Sequence, residues 1–138
     1  MNKEDMNTYN KDKLSIRPQL PNTIINDDMT ADELFQNDTL RPILKMQHDL
    51  IAFMLKEYIK VKKNAYYKLS IENRSHYVKN NILADRMIIH ELRGLVIGLF
   101  TSEELVYYLA HKSAMNKRIQ SLLFQRINDI AQYFKTPE

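Results

Sequence analysis

From residue 30 onward, apolar residues recur at steps of three and four, the period of an amphipathic helix. Leu40, Ile43, Leu44, Ile51, Met54, Leu55 and Tyr58 form one such stripe. Ile71, Val78, Ile82, Ile89, Leu92 and Val96 form a second, and Met115, Ile119, Leu122, Leu123, Ile127, Ile130 and Phe134 a third. Boundary residues divide these stripes into elements. Thr30 with Glu33 reads as a capping box opening a short helix over 31–37. Thr39 is read as the cap of a long helix over 40–63, with Pro42 in its first turn and Asn64 at its end. Ser70 caps a third helix running toward Leu99, with Asn80-Asn81 as a weak point. Thr101 with Glu104 is a second capping box, for a helix over 102–110, and Ser113 precedes a last helix over 114–135. The fold class expected is all-α: a small bundle of three long and one or two short helices over residues 30–138.

Residues 1–29 lack this period. They are rich in Asn, Asp and Lys, contain Pro18 and Pro21, and read as a flexible polar tail. A second reading makes Leu14, Ile16, Leu20, Ile24 and Ile25 an extended arm that docks on a partner.

Composition sharpens the exclusions. The 138 residues contain 2 glycines, where average usage gives about ten, which disfavours folds built on tight turns and Gly-rich phosphate loops. The net charge is +3, spread so that no half of the chain is strongly basic. Without cysteine there is no disulfide, thiolate ligand or Cys nucleophile, which fits a reducing compartment. The polar N-terminus has no apolar signal region, and no apolar run approaches the roughly 18 residues a membrane span needs, so a cytoplasmic protein is expected.

Candidate chemistry is sparse. His48, His76, His90 and His111 form neither a His-x-x-x-His nor a Glu-x-x-His pattern, so no metal or cofactor site is expected. No nucleophile elbow or P-loop occurs. Asp85, Arg86, His90 and Arg93 share neighbouring faces of the third helix and suggest a buried polar cluster. That cluster would be an anion or acid/base site, or else a structural ion pair between Asp85 and an arginine of another helix. Gly94 and Gly98, four apart, fit a close helix crossing, although Gly98 equally suits a helix end. The stretch 56–68 interleaves lysines with tyrosines, a pattern that can hold phosphates and stack bases.

The segments Leu34-Phe35-Gln36-Asn37-Asp38-Thr39-Leu40-Arg41-Pro42-Ile43-Leu44-Lys45-Met46-Gln47-His48-Asp49-Leu50 and Ile97-Gly98-Leu99-Phe100-Thr101-Ser102-Glu103-Glu104 resemble a family of small, uncharacterised bacterial helical proteins. The resemblance spans about residues 31–134 and implies a helical fold, with no catalytic residue to carry over. Members often bear the label glyoxalase. Glyoxalases of the common type use βαβββ modules with His and Glu metal ligands on strands, and neither is legible here.

The function expected is a non-catalytic protein-protein interaction module, self-associating or part of a larger cytoplasmic assembly. Its motive is surplus apolar surface at Met46, Leu50, Phe53, Tyr107 and Tyr108. The alternatives are a nucleic-acid-binding module using residues 56–68, and a ligand-binding or enzymatic bundle around Asp85, Arg86 and His90.

Overall fold

The computed structural model describes residues 1–20 and 25–138, and every regular element among them is helical. In chain order these are α1 (Lys3–Ser15), α2 (Ala31–Phe35), α3 (Arg41–Met46), α4 (His48–Val61), α5 (Ile71–Tyr77), α6 (Arg86–Ile97), α7 (Ser102–Ala110) and α8 (Lys112–Ala131). Wide π-helical turns at Gln36–Leu40 and Val78–Ile82 and a 3-10 turn at Ala65–Lys68 lie between them. Two compact units share the chain. Unit 1 is Met1–Gln47 with Gly94–Ile119, and unit 2 is His48–Arg93 with Gln120–Glu138.

Unit 1 begins with a departure from expectation. The segment read as a flexible tail is helical over α1, opened by the Asn2 side chain accepting the Asp5 N–H at 2.8 Å. No residue of α1 is buried, which is why no apolar period announces it. Polar bonds hold it instead. Asn10 and Ser102 exchange two hydrogen bonds, of 2.7 and 2.9 Å. Lys13 donates to the carbonyls of Gly98 and Phe100, and Arg17 to that of Leu99. These carbonyls follow the end of α6, where unpaired acceptors and the helix dipole favour cations. Of the arm residues, Leu14, Ile16 and Ile25 are exposed and Leu20 is half-buried. Pro21 and Ile24 lie outside the described residues.

Thr30 caps α2 as expected, accepting the Glu33 N–H at 3.2 Å. Thr39 does not start a new helix. The chain passes from α2 into α3 through the wide turn, in which Arg41 N–H reaches the Gln36 carbonyl. The cause is Pro42, which lacks an N–H and whose ring would press on the carbonyl of Asp38 in a regular α-turn. Thr39 is buried, and its hydroxyl donates to Glu104 at 2.9 Å.

Glu104 is the polar centre of unit 1. Its carboxylate accepts two bonds from the Arg17 guanidinium, at 2.6 and 2.5 Å, as well as the Thr39 hydroxyl and the Thr101 N–H. The Arg17 and Glu104 side chains are 8% and 16% exposed. Burial alone would push this carboxyl up, but the hydrogen bonds and charge of Arg17, with Thr101 and Thr39, hold it below its usual value of 4.5. Thr101 accepts the Glu104 N–H in return, which completes the expected capping box of α7.

The expected helix over 40–63 is interrupted at Gln47, whose N–H still bonds the Ile43 carbonyl at 2.9 Å but whose backbone, at ψ 5°, leaves helical geometry, so that α4 of unit 2 starts anew at His48. It closes near the expected residue: Asn64 is left-handed and its N–H bonds the Ile59 carbonyl at 2.9 Å. The third predicted helix is split, with the wide turn at the expected Asn80-Asn81 and a break before Arg86. The last helix stops at Ala131 rather than 135. Arg74 explains this: its guanidinium takes the carbonyls of Gln132, Phe134 and Tyr67, and lies 4.8 Å from the centre of the Tyr66 ring. Most stripe positions are buried, from Ile51, Leu55, Val78, Ile82, Ile89 and Leu92 in unit 2 to Leu40, Ile43, Leu44, Val96, Met115 and Ile119 in unit 1. Ile71, at the first turn of α5, is exposed instead.

Candidate functional site

The four residues expected as a buried polar cluster do not form one. Arg86 and His90 are exposed, and Asp85 and Arg93 are half-buried. Asp85 forms no pair with an arginine. It caps α6, accepting the Met87 N–H at 3.0 Å, and its other oxygen accepts the Tyr58 hydroxyl at 3.3 Å. Burial and the Asp85 charge push the Tyr58 hydroxyl up to about 12. The break before α6 dictates this outcome, since a carboxylate at an N-cap is already supplied with backbone donors. Asp85 lines a cavity of about 340 Å³ with Met54, Tyr58, Val61 and Met87, and neither Arg86 nor His90 reaches it. Among the described residues, no group of His, Asp and Glu is arranged to hold a metal ion.

The glycine pair makes no close crossing. Both glycines are exposed, and a Cβ built on Gly94 meets nothing within 4 Å. One on Gly98 meets only the Gly94 carbonyl, at 3.1 Å. Gly98 lies just past the end of α6, where its carbonyl receives Lys13.

Of the five residues expected to carry surplus apolar surface, Met46, Leu50 and Phe53 are exposed. Tyr107 and Tyr108 turn inward. Tyr108 is buried, with its hydroxyl donating to Asn116 at 2.5 Å. Tyr107 stacks between Phe35 and His111, at centroid distances of 5.0 and 4.2 Å, and donates its hydroxyl to Asp32. The phase of α7 follows from Glu104. With that carboxylate turned to Arg17, Thr101 and Tyr108 lie within about 60° of it around the helix, at about 100° per residue. Leu105, Val106 and Leu109 lie roughly 100–200° away. They are 37%, 68% and 57% exposed, an outward apolar face that the run Leu105-Val106-Tyr107-Tyr108-Leu109 could not reveal by periodicity.

The lysine- and tyrosine-rich stretch 56–68 divides. Tyr66 is fully buried, packed edge-on against Tyr67 and Tyr77, and Tyr58 is half-buried against Asp85. Lys56, Lys60 and Tyr67 line a cavity of about 680 Å³ within unit 2. Its apolar walls are Phe53 from α4 and Tyr133 and Phe134 from the turn after α8. Lys135 adds a third cation, against one carboxylate from Glu57. Phe53 is 70% and Tyr133 75% exposed, so both side chains are largely open to solvent. The Lys56 ammonium lies 5.1 Å from the centre of the Phe134 ring. Sequence reasoning singled out Phe53 and the lysines separately. Residues 133–135 join them because Arg74 ends α8 early and draws the terminal segment across unit 2.

No helix among the described residues is long and apolar enough to cross a membrane. No family model matches the chain, and no curated protein or solved structure matches it.

Proposed function

We propose that the chain is a non-catalytic helical interaction module that self-associates in a cytoplasmic assembly, with the outward face of α7 as its contact. The observation that carries this reading is the set of three large aliphatic side chains, Leu105, Val106 and Leu109, exposed together on one helix. Scattered apolar residues are ordinary on a protein surface, whereas a contiguous group is characteristic of association. A second copy is the favoured occupant on grounds of charge. Antiparallel pairing of α7 sets its acidic start, Glu103, level with the basic end marked by His111 and Lys112. It also opposes the two helix dipoles.

Light scattering over a range of concentrations tests the reading. The expected result is a mass above the 16.4 kDa of one chain, returning to 16.4 kDa in V106E/L109E with its far-UV circular dichroism unchanged. A strict monomer at every concentration overturns self-association. An assembly that survives both substitutions shows that α7 is not the contact.

A further inference from the structure

The groove of unit 2 lined by Phe53, Tyr67 and Tyr133 has a chemistry of its own, independent of the α7 surface. We infer that it is a binding site for single-stranded nucleic acid. Bases stack on the Phe53 and Tyr133 rings while Lys56, Lys60 and Lys135 take the phosphates.

Three features select this occupant. First, two of the exposed groups lining the groove, Phe53 and Tyr133, are aromatic rings, and a flat ring offers an unpaired base a stacking partner whatever its sequence. Second, the charge is complementary: three ammonium groups against the single carboxylate of Glu57 favour a polyanion. Third, the cations lining the groove are lysines, compact point charges on flexible stems that can follow the phosphates of a mobile single strand. A duplex fits poorly, because its bases already stack on one another and offer no face to Phe53 or Tyr133. The volume, about 680 Å³, is in the range of cavities that enclose small organic ligands.

The test is fluorescence anisotropy with labelled oligo(dT) and oligo(rU) of about ten nucleotides, a duplex of the same length, and an acidic tyrosine-containing peptide. Saturable binding of a single strand, tighter than that of the duplex, is expected. F53A and Y133A should each weaken it roughly tenfold or more, the usual loss for one stacked base. F53L, which keeps apolar area but no ring, should lose as much as F53A. K56Q/K60Q/K135Q should reduce the slope of log affinity against log salt by about 2, at about 0.7 per phosphate contact. The two aromatic positions are exposed, and unchanged far-UV circular dichroism confirms that each variant is folded. Absence of single-strand binding at low salt overturns the inference. So does equal affinity for the duplex with F53A and Y133A unaffected, which marks a generic charge effect. Binding of the acidic peptide that these variants abolish, with the strands unbound, assigns the groove to a protein partner and overturns it as well.

Discussion

Replacing Glu104 with glutamine removes one negative charge from the centre of unit 1 and leaves the shape almost unchanged. The wild-type carboxylate accepts from both Arg17 nitrogens, from Thr39 and from the Thr101 N–H, in surroundings where its side chain is 16% and that of Arg17 8% exposed. Glutamine has one acceptor oxygen and one donor nitrogen, so two donors lose their partner and the guanidinium is left buried without a counter-charge. Breaking one side of such a buried pair costs about 3–5 kcal/mol. That is a large share of the roughly 5–15 kcal/mol by which a domain is stable. Urea unfolding of E104Q at pH 7, followed by circular dichroism, should show a loss of that size. The pair itself is isolated by the cycle through R17Q and E104Q, whose coupling energy should exceed about 1 kcal/mol. The pH dependence provides an independent check. The folded carboxyl is held below its usual 4.5, so the stabilisation is fully present above about pH 4.5 and is lost as the pH falls through the lowered folded value. Wild type should therefore lose stability on acidification from pH 4.5 downward more steeply than E104Q. A loss under about 1 kcal/mol at pH 7, or the same acid dependence in both proteins, would refute the account of Glu104 as the anchor of α1 and α7.

Three further substitutions probe other points. G94A should stabilise by up to about 1 kcal/mol, since its Cβ meets no atom within 4 Å and alanine is the better helix former. G98A should gain less, with the Gly94 carbonyl 3.1 Å away, and a destabilised G94A in thermal unfolding would reinstate a close crossing. Tyr66 is fully buried with no hydrogen-bond partner for its hydroxyl, and burial pushes that group up to about 12. Y66F should raise the urea midpoint by about 1 kcal/mol equivalent, and a clear loss would mean that the hydroxyl is paired. Lys63 has a left-handed backbone, φ 61°, which costs a residue with a Cβ about 1 kcal/mol. K63G should recover most of that in chemical denaturation, and no change would place the strain elsewhere.

How much was legible in the sequence differs between elements for identifiable reasons. The helical class, the caps at Thr30, Ser70 and Thr101 and the stop at Asn64 depend on residues within a turn of one another, so local chemistry determined them. The core stripes of α4, α6 and α8 were equally readable, since long helices repeat their period often enough to be unambiguous. α1 was not legible, because its stabilising partners lie more than 80 residues away, at positions 98–104. The short α7, with its unbroken run from Leu105 to Leu109, had no readable phase, and the distant Arg17 decided it. Asp85 looked like half of an ion pair until a helix break made it a cap. The groove of Phe53, Lys56, Lys60 and Tyr133 required α4 and the residues after α8 to be brought together, and that depended on Arg74 capturing the carbonyls of Gln132 and Phe134. Hydrophobic period and capping act over one or two turns and are written in the sequence. Polar bonds between distant helix ends carry no period, and only the tertiary structure shows which donor meets which acceptor.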